Sequence, residues 1–330
     1  MPEIFLDAMG GDFAPEYPVK GAVRAVSKIS SNLFLVGNES EIKKILGDFS
    51  HPRLKIIHAS QKIAMDEKPA IACKKYPDSS IMVAMRKVKE TPNSIFISAG
   101  NSGAVVAAAC MTLERIPGVL RPAISIIAKG IVAPFILVDG GANVSCNWKH
   151  LFQFGIFAHA CAKEFLGISN PRVALLSNGS EPTKGTEEII KAHEALKKSS
   201  LNFIGNVEGN EVFSGNFDCL ICDGFVGNVL LKFAEGFAKT IKNIVSSGKK
   251  ISFAKIFLKK FAKKLFKKFD YTEYGASFLL GLKGSVMVTH GIADEIAIMN
   301  AIISSEKGDG KISDIIAEEI NKNKDILEEK

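Results

Sequence analysis

The sequence lacks the signatures of several large function classes. No apolar run in its 330 residues is long enough to span a bilayer. Its first residues carry none of the basic, apolar and small-residue sections of a secretory leader, so a cytoplasmic protein is expected. There is no G-x-x-x-x-G-K-[ST] phosphate loop, no G-x-G-x-x-G after the first strand, and no G-x-S-x-G nucleophile turn. These absences count against P-loop nucleotide chemistry, a standard dinucleotide site and a serine esterase. The six histidines show no metal-like spacing. His193-Glu194 starts like a zinc motif, but position 197 is Lys, so the second ligand is missing. No metal and no cofactor is expected. The six cysteines are scattered, mostly in apolar runs, which suits reduced buried thiols better than a disulfide framework. Cys219 and Cys222 form a lone C-x-x-C inside a strand-like run, with no second pair to complete a metal site.

What is present is a repeated grammar. Ile4 to Leu6 is a short apolar run that stops at Asp7. Gly10, Gly11, Asp12 and Pro15 follow, which is turn chemistry, and helical spacing begins at Val19. The unit is strand, glycine-rich loop, helix. It is either a plain connection or a place where backbone N–H groups approach an anion. The same order returns along the chain. Strands are expected at 33–37, 54–57, 94–98, 124–127, 135–138, 173–176, 203–204 and 220–222, with helices between most of them. A hydrophobic fraction of 47% supports a sizeable core. Alternating strands and helices imply a mostly parallel sheet covered on both faces, with ligands at the carboxyl ends of the strands. Six of those ends carry Asp7, Asn101, Asp139, Asn178, Asn206 and Asp223, and they read as one shared polar site. No repeat or low-complexity linker divides the chain, so a single large domain, 1–330, is expected.

Individual residues leave alternatives open. Thr183-Lys184-Gly185 precedes a helix opening with Thr186-Glu187-Glu188. Lys184 is either a phosphate-holding ammonium at a helix start or a solvated surface lysine. Asn101 and Asn228 sit beside glycines, where the amide either meets a carbonyl oxygen or forms a turn. His290 is a base, a donor to an oxyanion, or a core histidine. The net charge of +7 is uneven: between Lys239 and Lys268 there is no acidic residue. Within 249–269, Phe253, Phe257, Phe261 and Leu265 form one i, i+4 row, and Leu258 and Phe266 lie in the next, with lysines around them. That pattern fits an interfacial helix on an anionic membrane, a core helix with a basic outer face, or a dimer contact. No recognised nucleic-acid module accompanies it, so no nucleic acid is expected.

Taken together, DAMGGD (7–12), SAGNSGA (98–104), GAN (141–143), TKG (183–185), FIGNVEG (203–209), CDGFVGN (222–228) and LLGLKG (279–284) resemble the bacterial phosphate acyltransferase family of phospholipid synthesis. The resemblance runs from Asp7 to about Asn300. It implies a homodimeric three-layer α/β/α sandwich, like isopropylmalate dehydrogenases and phosphotransacetylases. It implies transfer of an acyl group from acyl-[acyl carrier protein] to inorganic phosphate at the inner face of the cell membrane. Carried onto this chain, it implies catalytic roles for Lys184, Asn228, Asn101 and His290. Substrate or phosphate contacts are implied at Asp7, Gly10, Gly11, Gly100, Ser102, Asn143, Thr183, Gly185, Asp223 and Gly227. The chain departs from the family pattern at Gly291-Ile292-Ala293 after the histidine, in the weakly acidic stretch 177–182, and at Ser145, Trp148 and Lys149. Competing readings are a transferase acting on a coenzyme A ester and a non-catalytic membrane scaffold.

Overall fold

A computed structural model describes residues 1–246, 276–307 and 312–328. The basic amphipathic stretch at 249–269 lies outside them. In chain order the first elements are β1 (Glu3–Asp7), α1 (Glu16–Val26), β2 (Leu33–Gly37), α2 (Glu39–Leu46), β3 (Leu54–His58), α3 (Pro69–Lys75), α4 (Ser80–Glu90), β4 (Ser94–Ser98) and α5 (Ser102–Thr112). Next come β5 (Ala123–Lys129), β6 (Pro134–Val138), α6 (Trp148–Leu166), β7 (Val173–Leu176), α7 (Glu187–Lys198), β8 (Phe203–Val207), β9 (Cys219–Ile221) and α8 (Gly224–Ser246). The last are β10 (Ser277–Leu280), β11 (Ser285–Val288), α9 (Glu295–Lys307), α10 (Ile312–Lys322) and α11 (Lys324–Glu328). Helix starts follow local chemistry. Asn38, Ser79, Asn101, Asn147 and Thr186 each accept a backbone N–H of the helix they precede.

The described residues fall into two compact units, one drawn from Met1–Ile124 and Thr272–Lys324, the other from Ser125–Tyr271 and Asp325–Lys330. In the first, strands run in the order β3-β2-β1-β4-β11-β10. All neighbours are parallel except β10 and β11, which pair antiparallel. Phe5, Val36, Phe96, Val286 and Val288 share a core with Ala84 and Met85 of α4 and Val105 and Ala108 of α5. α1 packs against β2 and, closely, against α9. A Cβ on Gly21 would lie 2.6 Å from Ile298 Cγ2, so only glycine permits this approach.

In the second unit the order is β5-β6-β9-β7-β8, parallel except for β5 against β6. α6 is buried along most of its length, with Phe152, Phe154 and Phe157 fully covered. The pairing of this sheet has one irregularity. β7 and β8 pair Val173 with Phe203 but Ala174 with Gly205, so Ile204 is an extra residue, and Gly205 has φ +107°. This is a bulge, which reverses the facing of the residues after it.

The expected strands are present: β2, β4 and β7 match the apolar runs, β9 is shifted by one residue, and β1, β3, β5, β6 and β8 are longer by one to three residues. Two further strands, β10 and β11, lie beyond the expected runs, and the segments 222–228 and 279–284 take definite places. The first runs from the end of β9 into the start of α8, and the second joins β10 to β11.

Candidate functional site

In the second unit, β6, β9 and β7 are parallel neighbours, so their following loops emerge on one edge of that sheet. β6 ends at Asp139, which is fully buried. Its Oδ1 accepts the N–H groups of Gly141 and Ala142, both at 3.0 Å. Its Oδ2 accepts Asn143 N at 2.7 Å and Asn143 Nδ2 at 2.8 Å. One carboxylate thus folds a whole turn around itself, with charge-assisted bonds holding it. β9 ends just before Asp223, whose Oδ1 accepts Val226 N at 2.8 Å and starts α8. Gly224 N donates to Asn143 O at 2.8 Å, joining the two loops. A Cβ on Gly227 would fall 2.0 Å from Asp139 O, so the first turn of α8 rests directly on the β6 terminus. Asn228 follows on the same turn, exposed, beside Gly141.

β7 leads into the turn carrying Thr183, Lys184 and Gly185, all exposed. Lys184 N donates to Glu181 O at 3.0 Å, and Gly185 has φ +109°. The Lys184 stem lies over Gly179, where a Cβ would be 2.6 Å from Lys184 Cγ. Among the described residues Lys184 makes no ion pair, and it is exposed. Asn178 is also exposed, whereas Asn206, on β8, is buried.

The first unit gathers a second set. Asp7, at the end of β1, accepts Met9 N at 3.1 Å on Oδ1 and the Ser98 hydroxyl at 2.7 Å on Oδ2. Ser98 Oγ in turn accepts Gly100 N at 2.9 Å. Gly10 and Gly100 pack over this carboxylate. A Cβ on Gly10 would be 2.4 Å from Asp7 Oδ2 and 2.7 Å from Gly100 N. Burial pushes the Asp7 carboxyl above its ordinary range, against the opposing pull of the Ser80 and Ser98 hydroxyls. Gly11, at φ +104°, lies under the His290 loop, and Asp12 N donates to Gly291 O at 2.8 Å.

Asn101 caps α5 by accepting Ala104 N at 3.0 Å, and its Nδ2 donates to Met65 O and Glu67 O, each at 3.0 Å. Its amide is therefore spent on the backbone, while Ser102 beside it is exposed. His290 is exposed, which removes the core-histidine reading. Its Nδ1 accepts Ile292 N at 3.4 Å, which leaves Nε2 as the protonated nitrogen of the neutral ring. Sequence reasoning missed Ser98, whose hydroxyl is unremarkable until the β1 and β4 ends are seen side by side. It also passed over His193 as a failed zinc motif.

The family model described as "Fatty acid synthesis protein" matches residues 3–308. A phosphate acyltransferase from Dictyoglomus turgidum is 43% identical, covering 92% of this chain and 93% of its own. One from Lawsonia intracellularis is 46% identical, covering 90% and 88%. One from Leptospira biflexa is 40% identical, covering 98% of both chains. The chain belongs to the phosphate acyltransferase family. Among solved structures, a phosphotransacetylase from Streptococcus pyogenes superposes with a TM-score of 0.62 at 16% identity, covering 93% of this chain and 94% of that one. A 4-hydroxythreonine-4-phosphate dehydrogenase from Salmonella typhimurium gives 0.56 at 11% identity, covering 93% and 99%. These two likenesses concern the fold, an α/β architecture shared by acyl-transferring and dehydrogenase-like proteins. As a phosphate acyltransferase family member, the chain is an acyltransferase connected with fatty acid synthesis. No described helix is long and apolar enough to cross a membrane.

Proposed function

We propose that the protein transfers a long-chain acyl group from acyl-[acyl carrier protein] to inorganic phosphate, giving acyl-phosphate and free carrier. A phosphate oxygen attacks the thioester carbonyl. The C–O bond forms, the C–S bond breaks, and the departing carrier thiolate takes up the proton that hydrogen phosphate gives up. The observation that carries this reading is the sheet edge of the second unit. There three parallel strand ends present an exposed lysine, Lys184, an exposed helix-start amide, Asn228, and a turn fixed by a buried carboxylate, Asp139. Lys184, with the backbone around Thr183 and Gly185, binds phosphate. Asn228 supplies a donor to the developing oxyanion, a contribution of about 3 kcal/mol when such a donor is aligned. Asp139 and Asp223 hold the loops without touching phosphate, since like charges repel. Asn101 serves the same end in the first unit, and His290 is the remaining candidate donor.

The net charge of +7 suits an acidic carrier protein. A homodimer bound peripherally to an anionic membrane through 249–269 suits a product with a long acyl chain. The test is incubation with long-chain acyl-[acyl carrier protein] with and without phosphate, followed by mass spectrometry. Phosphate-dependent acyl-phosphate is the expected product. Carrier binding without product would defeat the enzymatic reading. In the same assay Lys184→Ala raises the phosphate KM, and an unchanged phosphate KM would remove Lys184 from the site. Sedimentation with anionic vesicles tests the membrane contact.

A further inference from the structure

His193 and Asn206 are two buried polar side chains that the reaction above does not use. They are 6% and 9% exposed. His193 lies on α7 and Asn206 on β8, and His193 Nδ1 meets Asn206 Oδ1 at 2.9 Å. The other end of the same amide, Nδ2, donates to Glu181 O at 3.0 Å. Glu181 O also accepts Lys184 N at 3.0 Å. A single carbonyl therefore joins the buried amide to the backbone of the lysine.

The chemistry fixes the direction of each bond. Glu181 O can only accept, so the amide nitrogen of Asn206 must face it. Oδ1 then faces His193, and Nδ1 must carry a proton to donate. The His193 ring is itself held edge-on to Phe203, with centroids 5.0 Å apart. In a regular strand Phe203 and Asn206 would face opposite sides of the sheet, because side chains alternate. Both meet His193 because the extra residue at Ile204 reverses the alternation between them. The bulge thus aims a polar side chain inward, at the turn ahead of α7, where an apolar residue would ordinarily pack.

We infer that Asn206, oriented by His193, is a positioning residue that sets the Glu181–Lys184 turn so that Lys184 presents its ammonium to phosphate. The inference rests on the assignment of Lys184 to phosphate made above. Asn206 touches no substrate; it acts through the turn. Nothing else described on β8 reaches Glu181 O, so truncating the amide frees the turn and leaves that carbonyl and the His193 N–H without their buried partner.

The test uses the full chain. Asn206→Ala raises the phosphate KM by about tenfold or more, with a smaller fall in kcat, since small displacements of a binding group are costly. In the Lys184→Ala background the same substitution adds no further rise. Hydrogen exchange of peptides covering 181–185 becomes faster in Asn206→Ala. His193→Asn keeps a donor near the Nδ1 position and retains a phosphate KM closer to wild type than His193→Leu does. Additive effects of Asn206→Ala and Lys184→Ala, or a lowered melting temperature with an unchanged phosphate KM, would overturn the inference. Equal effects of the two His193 variants would overturn the part given to His193. Unchanged exchange at 181–185 would remove the relay and leave the Lys184 assignment standing. A wild-type phosphate KM in Lys184→Ala would remove that assignment itself, whatever the exchange shows.

Discussion

The Ser98 hydroxyl donates to the buried Asp7 carboxylate at 2.7 Å and accepts the Gly100 N–H at 2.9 Å, so one oxygen ties the ends of β1 and β4 together. Ser98→Ala strips a hydrogen bond from a desolvated carboxylate and leaves a buried N–H without its acceptor. The expected cost is about 2–3 kcal/mol of folding stability, because each group left unsatisfied keeps its desolvation penalty. Urea denaturation measures it. A change within error of zero would mean that solvent reaches this corner.

Asp7 also predicts a pH dependence. Its ordinary value is near 3.8, and burial raises it in the folded chain. Between those two values the native state holds a proton that the unfolded chain has released. Its contribution to stability is therefore full below about 3.8 and is lost as pH rises through the raised value. Asp7→Asn lacks this loss, so the stability difference between wild type and variant shifts toward the variant across that window. Asp218 works in the opposite sense. Arg172 bonds both of its carboxylate oxygens, at 3.0 and 2.9 Å, and holds its pKa below the ordinary range. That contribution is present above the ordinary value and fades as pH falls through the lowered one. Denaturation of wild type, Asp7→Asn and Asp218→Asn at a series of acidic pH values separates the two slopes.

Two glycines of α8 should respond oppositely to the same substitution. At Gly227 a Cβ would lie 2.0 Å from Asp139 O, which is backbone and cannot step aside. Gly227→Ala is expected to cost about 3 kcal/mol and to disturb Asn228 next to it. At Gly236 a Cβ meets nothing within 4 Å. Gly236→Ala is expected to stabilise by about 0.5–1 kcal/mol through helix propensity alone. Thermal melts of both variants check the contrast.

Gly179 gives a prediction about activity. Its Cβ would be 2.6 Å from Lys184 Cγ and 3.1 Å from Lys184 Cβ, near the root of the side chain. Gly179→Ala therefore moves the lysine stem instead of only its tip. A raised phosphate KM with little change in melting temperature is the expected result, read from kinetics and a thermal melt on one preparation.

Much of this architecture is legible in the sequence because parallel strands covered on both faces read as short apolar runs, and β1, β2, β4 and β7 do so. The carboxyl-end rule then places Asp7, Asp139 and Lys184 at loops. What stays hidden depends on contacts distant in sequence. Asp223-Gly224-Phe225-Val226-Gly227-Asn228 reads as a polar strand end whose Asn228 is either a donor or a turn former. Its glycines are required by close approach to Asp139 and Asn143, and the segment is helical. Asn101 reads either as a donor to a carbonyl oxygen or as a turn former, and the carbonyls of Met65 and Glu67, more than thirty residues earlier, take its amide. The bulge in β8 leaves only Gly205 as a trace, and a glycine in a strand has many other uses.

The bulge also separates two kinds of sequence change. Replacing Ile204, which is nearly half exposed, alters little that the fold depends on. Deleting it would remove the bulge and its local bend while leaving Ala174 opposite Gly205 and Leu175 opposite Asn206, so Asn206 would still face α7. At this position a change of spelling leaves β8 as it is, while a change of length straightens it: the superfluous residue is a spacer in the count, letting Phe203 and Asn206, three apart in the chain, serve one side of the sheet.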